Sequence, residues 1–147
     1  RFVGTVAAWL VHEWGDPQDP AAVETLTAAL RSRMSLDALP MHLLAIEDGQ
    51  AAGFIALKLW EMDHDPDREH WLGSLFVPPA HRGRGISVAL IDELLKRCPL
   101  HGVTRLSLQT PRLDGGLYLR HGWTPVGQIL SRGDQVLIME RHLPPPA

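Results

Sequence analysis

Leu75-Phe76-Val77-Pro78-Pro79-Ala80-His81-Arg82-Gly83-Arg84-Gly85-Ile86-Ser87 joins an apolar strand end to a short arginine- and glycine-rich loop that opens directly into an amphipathic helix. The first amide N–H groups of a helix lack intrahelical partners, and the macrodipole places roughly half a positive charge there. An anion is the natural partner. Gly83 and Gly85 remove side chains that would hold a bulky diphosphate away from the backbone, while Arg82 and Arg84 add cationic donors suited to phosphate oxygens. Spacing excludes two phosphate-binding patterns. A dinucleotide fingerprint needs a third glycine, and Gly83-Arg84-Gly85-Ile86-Ser87-Val88 ends on valine. A Walker A loop needs Gly-Lys-Ser/Thr after four intervening residues, and the chain has no such run.

The 147 residues suit one domain, long enough to bury about two-thirds of its unfolded surface. An apolar fraction of 45% with 21% charged residues is that of an ordinary globular chain. No run reaches the roughly 18 apolar residues of a membrane span, and no secretory h-region is present. A formal charge of -3 argues against a nucleic-acid-binding surface. The single cysteine, Cys98, rules out an internal disulfide and is compatible with a reducing cytosol, so a cytoplasmic location is expected. At the end of an apolar helix face, it reads as a packing residue rather than a reactive thiol. The chain opens on Arg1 rather than methionine, which leaves room for further N-terminal sequence.

Residues 5–13 suit a first helix, and 20–33 a second with Asp19 as N-cap and Pro20 at its first position. Apolar runs at 42–47 and 51–60 meet at Asp48-Gly49, a strong hairpin signal. A polar stretch follows to His70, then a strand over 71–77. From Gly85 to Arg97, Ile86, Leu90, Ile91, Leu94 and Leu95 form one helix face. Residues 103–110 read as a strand returning parallel to 71–77 by a right-handed crossover. A short helix over 113–121 ends at Gly122 as its C′ glycine, and strands around 126–130 and 135–140 turn near Arg132-Gly133-Asp134.

Arg82, Gly85 and Ser87 stand in an R-x-x-G-x-small pattern that resembles the acyl-coenzyme A loop of the GCN5-related N-acetyltransferase (GNAT) superfamily. Ser87 departs mildly from the usual glycine or alanine but is still small. The element order α-α-β-β-β-α-β-α-β-β matches that family less its first strand, with Phe2-Val3 as a remnant. The resemblance implies an α/β (α+β) fold, a mixed sheet of about six to seven strands flanked by about four helices.

A second matching segment is Leu117-Tyr118-Leu119-Arg120-His121-Gly122-Trp123, which is similar to the family's Y-x-x-x-G-F/W signature. The resemblance implies that Tyr118, the only tyrosine, acts as general acid toward the departing coenzyme A thiolate. The alternative is a core tyrosine capping its helix. It also implies that acetyl-CoA binds along Leu75, Phe76 and Val77 and in the loop Arg82, Gly83, Arg84, Gly85, Ile86 and Ser87. In the family the strand splays from its neighbour, the pantetheine arm pairs with its backbone, and an N–H here assigned to Val77 polarises the thioester carbonyl. Plain sheet packing is the alternative for those three side chains.

The base that deprotonates the amine is left open among Glu61, Asp63, His64, Asp65, Asp67, Glu69 and His70, because Gly73 and Ser74 stand where some relatives keep a carboxylate. Five acids lie between Trp60 and Trp71. Such a wall favours a cation, with Trp60, Asp63, His64 and Trp71 as candidate acceptor contacts; a solvated acidic loop is the alternative. His64, His70, Asp63 and Asp67 lack a compact ligand signature, so no metal is expected. The expected activity is acetyl-CoA-dependent N-acetyl transfer to a small amine by direct attack in a ternary complex. The chain looks similar to small bacterial acetyltransferases, with some likeness to aminoglycoside-modifying members in its acidic loop. A peptide or protein acceptor, or a non-catalytic acyl-CoA sensor, are the rivals. No nucleic-acid or membrane partner is expected, and the protein is expected to be a monomer or homodimer.

Overall fold

A computed structural model describes residues 2–16, 18–32, 39–62 and 65–144. Its elements are α1 (Val3–Trp14), α2 (Ala22–Ser32), β1 (Met41–Glu47), β2 (Gln50–Leu59), β3 (His70–Phe76), α3 (Ile86–Arg97), β4 (Arg105–Thr110), α4 (Gly116–Arg120), β5 (Thr124–Ser131) and β6 (Asp134–His142). The strands form one mixed sheet in the order β1-β2-β3-β4-β6-β5. β3 and β4 are parallel, Trp71 opposite Ser107, whereas β1–β2, β4–β6 and β5–β6 are antiparallel. The fold is therefore the mixed α+β architecture expected, with six strands and four α-helices among the described residues. None of these helices is long and apolar enough to cross a membrane.

Local signals account for most element boundaries. The hairpin between β1 and β2 has Glu47 paired with Gln50, and its two turn residues, Asp48 and Gly49, take φ of 51° and 76°. Positive φ at both central positions is what a tight hairpin needs. Asp19 Oδ1 accepts from the Ala21 amide at 2.9 Å as expected of a cap, although the helix proper begins at Ala22 rather than Pro20. The Phe2-Val3 expectation is corrected. Val6 N donates to Phe2 O at 3.0 Å, which makes Phe2 the N-cap of α1 and Val3 its first residue, not a strand remnant.

Two compact units are present, residues 1–57 with 74–94, and residues 58–73 with 95–147. The first packs Val6, Ala7 and Leu10 of α1 and Leu30 of α2 with Phe54 and Ala56 of β2. On the alternate face of β2, a Cβ at Gly53 would stand 2.9 Å from both Ile86 Cγ2 and Leu90 Cδ1 of α3. Coverage on both faces explains why 51–57 is buried without interruption. It also makes Gly53 the residue that lets α3 lie close to the sheet. Gly53→Ala is expected to lower stability by about 1–2 kcal/mol through overpacking, seen as a lower denaturant midpoint with an unchanged slope.

A cavity of ≈ 180 Å³ in this unit is lined by residues of α1, α2, β1 and β2, Val6, Leu30, Leu44 and Phe54 among them. It contains none of the expected donor or acceptor residues. The second unit packs Met62, Trp71, Val136 and Ile138 together, with Ile129 against them.

Candidate active site

The arginine- and glycine-rich loop grows from the end of β3. Ser74 takes φ of 53°, a left-handed conformation costly for a residue with a side chain, and interrupts the pleat just before Leu75. Phe76 closes the strand under an aromatic cover, with its ring 5.7 Å from that of Trp9 and 6.3 Å from that of Trp14. Arg82 returns to the same place. Its guanidinium carbon stands 5.9 Å from the Phe76 ring centre, and Nε donates to Val77 O at 2.9 Å. Between them Pro78 and Pro79 initiate a 3-10 turn, closed by His81 N donating to Pro78 O at 2.9 Å. Arg82 thus ties the loop to the strand that precedes it.

Gly83 and Gly85 take φ of 79° and 77°, and α3 starts at Ile86 with Ala89 N donating to Gly85 O at 3.0 Å. A Cβ at either glycine would meet no protein atom within 4 Å. Backbone conformation therefore requires glycine here, and the side each leaves bare is open to a ligand. Left-handed glycines leading into a helix start, flanked by two arginines, fit a diphosphate such as that of coenzyme A.

Arg84 is not idle. Its Nη1 donates to Glu47 Oε1, and His81 Nδ1 lies 3.1 Å from the same oxygen. The His81 hydrogen bond, followed by the Arg84 guanidinium, holds the Glu47 carboxyl below its usual 4.5. Sequence reading missed Glu47. Its one signal was adjacency to the Asp48-Gly49 turn, which marks a strand end without saying what lies beyond it.

The other expected residues belong to the second unit. Tyr118 is half-buried on α4, its ring edge-on to Trp123 at 6.0 Å, and burial raises its phenol above the usual 10. Both Trp123 N and His121 N donate to Tyr118 O, at 3.1 and 3.0 Å. Gly122 has φ of 88°, as a C′ glycine should, but the helix covers Gly116–Arg120 rather than 113–121. Its start is shaped by Asp114, whose Oδ1 accepts from Gly116 N at 3.0 Å.

The described residues of the acidic segment are tied down by side-chain contacts. Arg68 Nε lies 2.9 Å from Asp65 Oδ2, and its Nη1 donates to Glu140 Oε2 at 2.8 Å and Ser107 Oγ at 3.0 Å. Arg105 donates to the Asp67 carbonyl, and Glu61 pairs with Lys58 at 3.5 Å. Two arginines therefore bolt the segment to its own unit, a role the sequence did not reveal. Trp60 is 50% exposed, with Nε1 donating to Pro66 O at 3.2 Å. Trp71 is corrected from an acceptor contact to a core residue, because it is 0% exposed and its Nε1 donates to Arg68 O at 2.6 Å. Asp63 and His64 lie outside the described residues.

Cys98 is fully buried, and burial pushes its thiol up from 9.0 to about 12. The folded chain keeps that proton while the unfolded chain releases it above pH 9. This contribution to stability is therefore intact below pH 9 and lost as pH climbs toward 12. In unfolding midpoints taken across that range, the advantage of the wild type over Cys98→Ala should shrink.

Residues 4–123, a span that holds both the anion loop and Tyr118, match the family model described as the acetyltransferase (GNAT) family. The chain belongs to the GNAT acetyltransferase family. It is an enzyme, an N-acetyltransferase. Solved structures similar to this acetyltransferase include an aminoglycoside 6'-acetyltransferase type Ii, at 18% identity and TM-score 0.72 over 99% of this chain and 92% of that one. An aminoglycoside 6'-N-acetyltransferase complexed with coenzyme A has 15% identity and TM-score 0.71, over 99% and 93%. A ribosomal-protein-alanine N-acetyltransferase from Brucella melitensis has 20% identity and TM-score 0.74, over 97% and 94%. At such identities the likeness is one of fold. No curated protein gives a significant match.

Proposed function

We propose that this acetyltransferase moves the acetyl group of acetyl-CoA to the amine of a small cationic acceptor by direct attack in a ternary complex, within a single GNAT domain of 147 residues. The observation that carries the donor assignment is the loop from Arg82 to Ser87, with left-handed Gly83 and Gly85 opening α3. Its amides and arginines hold the diphosphate, and the backbone of Leu75, Phe76 and Val77 takes the pantetheine arm. Electron density from the neutral amine forms the new C–N bond as the C–S bond breaks. The amine gives its proton to a base in the acidic segment, and the thiolate takes one from Tyr118. The Val77 N–H stabilises the charge that develops on the carbonyl oxygen. Direct attack is favoured over an acyl-cysteine because the only thiol is buried and firmly protonated.

A cationic acceptor is supported by the acids between Trp60 and Trp71 that remain after Glu61 pairs with Lys58 and Asp65 with Arg68, with the exposed Trp60 indole as a cation-binding face. A protein N-terminus as acceptor is the second reading, favoured by the similar fold of a ribosomal-protein-alanine N-acetyltransferase. A thiol-release screen with acetyl-CoA and polyamines, aminoglycosides, amino acids and peptides tests both. Turnover with small polyamines or aminoglycosides is the expected result, and turnover with peptides alone would transfer the assignment to the second reading. Thermal stabilisation by acetyl-CoA without thiol release from any amine would leave a sensor module.

A further inference from the structure

We propose that Glu47 is an internal competitor for the donor's diphosphate, holding Arg84 when no donor is bound and recapturing it as coenzyme A leaves. This rests on the donor-loop reading and adds to it a residue that sets donor affinity and release. Arg84 is the more exposed partner, with a side chain 54% exposed, and stands between two left-handed glycines at the mouth of the loop. Its guanidinium is already engaged by the Glu47 carboxylate. Carboxylate and phosphate oxygens are equivalent acceptors to a guanidinium, so a phosphate that takes Arg84 must displace Glu47 or crowd a second negative charge against it.

Two further features suit exchange rather than a permanent pair. Glu47 is the last residue of β1, held in register opposite Gln50, so its carboxylate is carried on a fixed strand end and returns to one place. His81 is the second partner, 3.1 Å from the same oxygen and only 14% exposed at its side chain. When Arg84 turns to phosphate, His81 still holds Glu47 and the carboxylate is not stranded. Binding therefore costs one ion pair, and release restores it. In enzymes whose turnover is limited by product departure, such a residue raises kcat while weakening donor affinity.

The test is titration calorimetry of coenzyme A on the full chain, comparing wild type, Glu47→Gln, Glu47→Ser, Arg84→Gln and Arg84→Gln/Glu47→Gln. Both Glu47 variants should bind coenzyme A about three- to tenfold more tightly than wild type at low ionic strength, with a smaller difference at high salt. In the Arg84→Gln background, Glu47→Gln should change the Kd by less than about twofold, because the group competed for is gone. Unchanged or weaker binding by folded Glu47→Gln and Glu47→Ser would overturn the proposal, since it would make Glu47 a support for Arg84. Equal tightening with and without Arg84 would also overturn it, by showing a general field effect. If wild type binds no coenzyme A, the donor reading itself fails and this inference falls with it.

Discussion

Tyr118→Phe is expected to lower kcat by about 100- to 10,000-fold, the usual contribution of a positioned general acid, while the Kd for coenzyme A stays within about twofold. The substitution removes one oxygen and keeps the ring that packs edge-on to Trp123, so the fold of α4 should survive. The pH dependence gives a second readout. Burial raises the phenol above 10, so Tyr118 keeps its proton, and with it the ability to donate, throughout the neutral and moderately alkaline range. In wild type, kcat should lose nothing to this group until the pH passes 10, and that alkaline fall should be missing in the phenylalanine variant. A variant with undiminished kcat would remove Tyr118 from the mechanism.

Gly85→Val should weaken acetyl-CoA binding by about 100-fold or more. A β-branched residue at φ of 77° faces a backbone cost of about 1–3 kcal/mol, and the loop escapes it by rotating its peptide planes. The amides at the start of α3 then no longer converge on one anion. Where the backbone does hold, the valine side chain projects into the side left open to a ligand, since no protein atom lies within 4 Å of that Cβ. Both outcomes remove hydrogen bonds to a charged group, each worth about 1.5–3 kcal/mol. Calorimetry measures the loss, and a melting curve shows whether the domain is otherwise intact. Retained affinity in a folded variant would refute the loop assignment.

The hairpin, the element order and the left-handed glycines that open α3 were legible because their causes are local. Asp48-Gly49 supplies two residues that tolerate positive φ, and the apolar positions of α3 repeat at the helical period. The role proposed for Tyr118 rests on resemblance alone, since nothing in a lone tyrosine announces a catalytic acid. Errors arose where the same residue type suits two environments. A tryptophan beside acids reads equally as a ligand-facing ring or as core, and Trp71 took the core because its indole N–H found the Arg68 carbonyl there. Phe2-Val3 is apolar enough for a strand but became a helix entry when Val6 N closed the first turn.

What the sequence by itself determined is a candidate anion site, because glycines and arginines within six residues of a helix start suit an anion whatever surrounds them; coenzyme A as its occupant came from the family resemblance. The tertiary structure decided which partners those charges meet. Glu47 meets His81 and Arg84 from 34 and 37 residues away, and Arg68 reaches Glu140 across 72. Such pairs are made by chain returns through the sheet, and no local periodicity records which charges a return will bring together.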